Sequence, residues 1–165
     1  MDHRGELVAA TDLGPVADLA CGRGRHALAV AGWGLPALGV DRNVRFLAEL
    51  KRRAEALALP VQPIRADLEA EGFTPLRPGS CGAVLIFRFL YRPLAPLVEA
   101  LLAPGGLLLY ETFTQAGGGA EGGPSNPAFR LAEGELPGLF PGLQILSYRE
   151  QPDQGVASLA ARKPG

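Results

Sequence analysis

The 165-residue chain reads as a doubly wound α/β domain, a mostly parallel sheet with helices on both faces. Three observations carry this reading. Short apolar strand segments alternate with helical segments along most of the chain. A glycine-rich turn, Gly22-Arg23-Gly24, joins the first strand to the first helix. The last two strand segments, Leu143 to Tyr148 and Val156 to Ala161, are separated by Gln151-Pro152-Asp153-Gln154-Gly155. That link is too short for a crossover helix, so the sheet is predicted to end in an antiparallel pair.

After a short amphipathic start over residues 6–13, Val16-Ala17-Asp18-Leu19 predicts a strand that runs into the glycines. A helix from Arg25 to Ala31 closes at Gly32-Trp33-Gly34, where glycine suits a helix C-terminus. Ala37 to Asp41 is the second strand. Asn43 then caps a helix with apolar residues at Phe46, Leu47, Leu50, Ala54 and Leu57, and Lys51, Arg52 and Arg53 on its wet side. Val61 to Ala66 gives a third strand, and the unbroken apolar run Ala83 to Phe87 suits the middle of a parallel sheet. Pro93 or Pro96 opens a helix that turns Leu94, Leu97, Val98, Leu101 and Leu102 inward. Ala103-Pro104-Gly105-Gly106 leads into the strand Leu107 to Tyr110. A helical piece over Ala132 to Leu136 is expected to stop at Pro137-Gly138.

Composition bounds the function. With 47% apolar and 20% charged residues, the chain can bury one core and is predicted to form a single domain over residues 1–165. A formal net charge of −1 gives no global field toward nucleic acid, so no nucleic-acid partner is expected. Charged residues near the start and no long apolar run predict a cytoplasmic protein without a membrane partner. Cys21 and Cys81 are read as reduced thiols, and with no Cys-x-x-Cys pair no metal site is expected.

Three positions point to a nucleotide-like ligand: the loop Asp18 to Gly24, Asp41 at the end of the second strand, and Asp67 at the end of the third. Glycines let a ligand approach the backbone, and a following helix N-terminus offers free N–H groups. Asp41 follows Gly22 by 19 residues, close to the spacing at which an acid accepts both ribose hydroxyls. Gly22-Arg23-Gly24-Arg25-His26-Ala27 also fits the dinucleotide fingerprint, which keeps a nicotinamide reductase as an alternative. Asp18 opposes it, since a carboxylate there repels a pyrophosphate and attracts an ammonium, while Asp67 suits an adenine amino group. Cys21 reads as a packing residue, and His26 as a cofactor contact or a structural residue.

Taken together, these motifs resemble those of class I S-adenosylmethionine-dependent methyltransferases. Val16-Ala17-Asp18-Leu19-Ala20-Cys21-Gly22-Arg23-Gly24 is similar to that superfamily's first motif, Asp41 to its second, Ala66-Asp67-Leu68 to its third, and Leu102 to Gly106 to the segment before strand five. The resemblance implies a Rossmann-like, seven-stranded sheet with an antiparallel last strand and S-adenosylmethionine as cofactor. It implies a cofactor site of Asp18, Ala20, Cys21, Gly22, Gly24, Arg25, Asp41, Arg42, Asp67 and Leu68. Gly22 and Gly24 would pass the methionine part, Asp41 would hold the ribose, and Asp67 with Leu68 the adenine. Gly-Arg-His resembles the Gly-Arg-Asn of tellurite-resistance-type methyltransferases, which makes Arg25 the partner of the cofactor carboxylate.

Ala20 stands at the first motif glycine, where a side chain requires φ to stay negative. About 15 residues precede the first strand, a short cap that leaves the site either open or completed by the second subunit of a homodimer. No Asn/Asp-Pro-Pro-Tyr/Phe signature follows strand four, which directs the expectation to a small-molecule acceptor. Arg88, Tyr91 and Glu111, just past the fourth and fifth strands, are the acceptor-side residues, with Arg92 binding an anionic acceptor or acting as a cap. Gln115 to Phe129 is read as a lid. The alternative function is a non-catalytic S-adenosylmethionine-binding sensor or partner subunit.

Overall fold

The computed structural model describes residues 3–70, 75–116 and 123–165. Seven strands form one sheet: β1 (Val16–Leu19), β2 (Ala37–Asp41), β3 (Val61–Arg65), β4 (Cys81–Phe87), β5 (Leu102–Phe113), β6 (Gln144–Gln151) and β7 (Val156–Arg162). Their order across the sheet is β3-β2-β1-β4-β5-β7-β6. The first five run parallel, and β7 lies antiparallel to both β5 and β6, as the short link at 151–155 requires.

Alternation along the strands sorts the core into two faces. Leu85 and Leu107 turn toward α1 (Arg4–Ala10) and α2 (Arg25–Gly32), meeting Leu7, Ala10, Val30 and Ala31. Val84, Ile86, Leu108 and Tyr110 turn the other way, onto α4 (Ala95–Leu101) and α5 (Glu135–Gly138), with Leu94, Val98, Leu101, Leu136 and Phe140. Leu28 of α2 and Leu47, Leu50 and Ala54 of α3 (Val44–Ala56) form a third cluster. The β3–β4 connection carries no helix among its described residues.

Asn43 caps α3 as expected: its Oδ1 accepts the N–H groups of Arg45 and Phe46 at 3.0 and 3.3 Å. Two local expectations, at Leu57 and at Pro137, need correction. Leu57 is the C-cap of α3 and is 62% exposed, because the helix ends before it can turn inward. Both prolines at 93 and 96 serve, Pro93 in a 3₁₀ turn (Arg92–Leu94) and Pro96 in the first turn of α4. Pro137 lies inside α5 instead of ending it, since a proline in the first turn removes an N–H that has no helical partner anyway.

Gly82 shows how closely the N-terminal helix packs on the sheet. A Cβ there would lie 1.9 Å from the carbonyl oxygen of Ala10 and 2.6 Å from that of Gly14. Both obstacles are backbone, so they cannot move aside as a side chain would. Gly82→Ala is expected to cost about 2–3 kcal/mol through overpacking. A lower midpoint in urea unfolding reads it out, and an unchanged midpoint would contradict the close packing.

Candidate functional site

The sheet reverses its winding between β1 and β4, where open α/β sheets receive ligands beyond the strand ends. The turn from β1 into α2 lies there and takes a left-handed backbone three times, at Ala20 (φ 55°), Gly22 (56°) and Gly24 (74°). The Ala20 value corrects the expectation of negative φ. An alanine in this region carries strain of about 1 kcal/mol.

Two carboxylates hold the turn. Asp41 Oδ2 accepts the N–H of Gly22 and Oδ1 that of Asn43, each at 2.8 Å. Asp18, 2% exposed, lies beneath the loop and accepts the N–H of Ala27 in the first turn of α2 at 3.0 Å. Burial raises its pKa to about 7, with Asp41 adding to the rise and the Ala27 N–H and Arg25 opposing it. Cys21 donates to the Gly22 carbonyl at 3.6 Å. Burial, with Asp18 and Asp41 nearby, pushes its thiol well above the usual range, which suits packing and not nucleophilic attack.

The two motif glycines differ in role. A Cβ on Gly22 would meet no atom within 4 Å, so this backbone opens to a ligand. A Cβ on Gly24 would lie 2.3 Å from Leu50, whose side chain fills the space against both Gly24 and Gly39. Gly24 therefore faces α3, beneath the loop.

Beside the turn is a groove of about 160 Å³ lined by Ala20, Asp41, Arg42, Asp67, Leu68 and Phe89, among others. Five residues of the sequence-predicted cofactor set thus meet in one concavity. Asp67 Oδ1 accepts the Glu69 N–H at 3.0 Å, and Arg42 pairs with Glu69 at 3.5 Å. Phe89, also on this wall, carried no motif; its signal is an aromatic just past a fully apolar strand. Buried Tyr110 fixes that segment by donating its hydroxyl to the Phe89 carbonyl at 2.9 Å. Arg25 is exposed at the start of α2, its Nη2 3.4 Å from His26 Nε2.

A second concavity, of about 390 Å³, lies over β4, β5 and β7 on the α1–α2 face, and His26, Phe87, Leu109, Glu111, Arg149 and Ser158 are among its lining. Glu111 accepts the Ser158 hydroxyl at 2.8 Å. Of the three acceptor-side residues expected from sequence, Glu111 lines this cavity. Arg88, left-handed at φ 57°, donates its N–H to the Glu111 carbonyl at 2.8 Å, and its guanidinium lies 6.0 Å from the centre of the Phe113 ring. Tyr91 points elsewhere, its hydroxyl 3.4 Å from the Glu69 carbonyl on the other side of the sheet edge.

Arg92 is a clamp. It pairs with Glu135 through two nitrogens and donates to the carbonyls of Ala128 and Arg130 at 2.7 and 3.0 Å. That fulfils the capping role and leaves the guanidinium committed to protein. It also anchors the end of the loop read as a lid, of which residues 117–122 lie outside the described residues.

Two predictions follow from the turn. Removing the methyl group in Ala20→Gly relieves the left-handed strain, for a gain of about 1 kcal/mol, seen as a higher melting temperature. Asp18 binds its proton more tightly in the folded chain, so its contribution to stability is complete below pH about 4 and is lost as pH rises through about 7. Asp18→Asn should flatten that decline in melts recorded between these limits, and a parallel decline in both proteins would refute it.

Comparison with known proteins agrees with this geometry. A family profile described as a methyltransferase domain matches residues 16–106, more than half of the chain. No curated protein matches the chain in sequence. Among solved structures, TehB from Haemophilus influenzae superposes with a TM-score of 0.74 at 21% identity, over 98% of this chain and 62% of that one. The chain thus spans less than two thirds of TehB. The CcbJ methyltransferase from Streptomyces caelestis gives 0.76 at 16% identity, covering 98% and 88%. An S-adenosylmethionine-dependent methyltransferase from Mesorhizobium loti gives 0.74 at 18% identity, covering 98% and 97%. At such identities these likenesses establish the shared fold, and the family profile adds the lineage. With the acidic strand ends and the open Gly22 backbone in place, the chain belongs to the methyltransferase-domain family, within the class I S-adenosylmethionine-dependent methyltransferases.

Proposed function

We propose that the chain transfers a methyl group from S-adenosylmethionine to a small molecule held in the cavity beside Glu111. The observation that carries this reading is that the β1–α2 segment serves two concavities: Ala20 in its turn lines the smaller groove, and His26 in the first turn of α2 lines the larger cavity. The groove carries Asp41, Asp67 and Glu69, the cavity combines apolar strand residues with His26, Glu111 and Arg149, and the bare backbone at Gly22 is bonded to Asp41 of the groove.

The donor set fits the cofactor. Each Asp41 oxygen uses one lone pair on a backbone N–H and keeps another for a ribose hydroxyl. Asp67 can accept from an adenine amino group, with Leu68 and Phe89 as apolar walls for the ring. Gly22 leaves room for the methionine part, and the Arg25 guanidinium is the partner for its carboxylate. The bound cofactor would supply an activated methyl on a sulfonium, which needs no further activation from the protein. The work left to the chain is to align the acceptor and to exclude water. The free Cys21 and Cys81 suit a reducing, cytoplasmic setting. Among the described residues, no helix is long and apolar enough to cross a membrane.

Calorimetric titration with S-adenosylmethionine and S-adenosylhomocysteine tests the cofactor site, with NADH as control. Asp41→Ala is expected to weaken adenosyl binding by 10-fold or more, about 1.4 kcal/mol or greater. Unchanged affinity in that variant, or binding of NADH instead, would overturn the assignment.

A further inference from the structure

We propose that the cavity beside Glu111 takes a planar aromatic alcohol and that His26 Nε2 is the base that accepts its hydroxyl proton. This rests on the methyl-transfer reading above and adds to it the acceptor's chemical class and a catalytic residue.

The cavity walls select the class. Leu85, Leu109 and Ala160 give it an apolar floor from three adjacent strands. The His26 ring stacks on Phe87 with centroids 3.9 Å apart and planes inclined by 24°, so a flat aromatic wall is already built. At about 390 Å³ the space suits a ring compound and lies in the range of small-molecule sites. A flat ring can lie along that wall with its hydroxyl toward the sheet edge.

The basic groups of the cavity differ in what they already hold. His3 is paired with Glu6, and Glu111 holds the Ser158 hydroxyl. Among the described residues, the hydrogen-bond partner of the His26 ring is the Arg25 guanidinium, through Nε2. A guanidinium can only donate, so Nε2 carries the lone pair and Nδ1 the proton. Burial is the first cause that keeps this imidazole below its ordinary pKa. Arg25 and Arg88 act the same way and Glu111 opposes them, while His3, Arg4 and Arg149 line the cavity from α1 and β6. Neutral His26 is thus available as a base at neutral pH.

Arg25 also links the base to cofactor binding. A carboxylate that engages the guanidinium draws it from Nε2 and cancels its charge, which frees the lone pair and raises the imidazole's proton affinity. Nε2 then takes the hydroxyl proton while the oxygen's electron pair forms the bond to the methyl carbon and displaces the sulfur with its bonding pair. The imidazolium afterwards gives its proton to water.

The test compares wild type with His26→Gln on two phenols, 4-methoxyphenol and the acidic 4-nitrophenol, which ionises without help in mildly alkaline buffer. A base that acts on the hydroxyl contributes about 100-fold or more. The variant should lose that factor on 4-methoxyphenol, together with the rise in rate through the histidine pKa, and should keep most of its rate on 4-nitrophenol. Nitrogen-15 NMR gives a readout without turnover: the His26 signal should titrate below the ordinary histidine range and move upward when S-adenosylhomocysteine is added. Equal losses on both phenols, no loss on either, or a titration unaffected by S-adenosylhomocysteine would overturn the role of His26. Failure of wild type to methylate either phenol while still binding S-adenosylhomocysteine would overturn the acceptor class and leave the cofactor site standing. Failure to bind S-adenosylhomocysteine would instead remove the proposed function itself.

Discussion

The site depends on one constraint: a turn of five residues, Ala20 to Gly24, must reverse the chain above the sheet with three of them left-handed. Backbone in this state keeps few of its own hydrogen bonds, so neighbouring elements must supply partners. Asp41 does so from β2, tying Gly22 on one side and Asn43 on the other with a single carboxylate. Asp18 does so from β1, joining the strand to the first turn of α2. Asp41, which shapes the loop, is thereby fixed beside the groove it helps to line. Scaffold and groove wall are here one group.

Much of this was legible in sequence, because the signals are local. Strand–glycine–helix punctuation, the Asn43 cap and the apolar run of β4 each follow from a few adjacent residues, and the short link at 151–155 forced an antiparallel end. Asp41 and Asp67 were found by their place after strands. What escaped depended on contacts between distant segments. The Gly24 requirement comes from Leu50, a residue of the next helix, and cannot be read from the loop. The left-handed Ala20 escaped because side-chain sterics argue against it, and only the surrounding bonds hold it there.

The acceptor side was less legible for a related reason. Arg88 and Tyr91 follow β4, whereas β5 runs on past Tyr110 and takes Glu111 into the sheet; Tyr91 reaches the Glu69 carbonyl and Glu111 lines the opposite cavity. Strand alternation sets the face of Glu111, while the turn before Arg92 sets the direction of Tyr91. Arg92 looked available for an anion until Glu135, 43 positions later, came to meet it. His26 gained its place through Phe87, 61 residues away along the chain, and no local pattern announces that stack.

The insertion of β7 between β5 and β6 governs how the chain can be assembled. Among the described residues, β6 has no strand partner except β7, and one side of β5 is completed by β7. During synthesis both earlier strands therefore wait with open edges until residues 156–162 have emerged. Their pairings span up to about 55 positions for β5, a long loop to close, which slows the final step and exposes the growing chain to wrong edge pairing. The half of the sheet that holds Asp18 and Asp41 has no such wait, because β1, β2 and β3 pair with near neighbours in sequence. The half with the carboxylate-lined groove can thus order early on the ribosome, and the half with the larger cavity closes last.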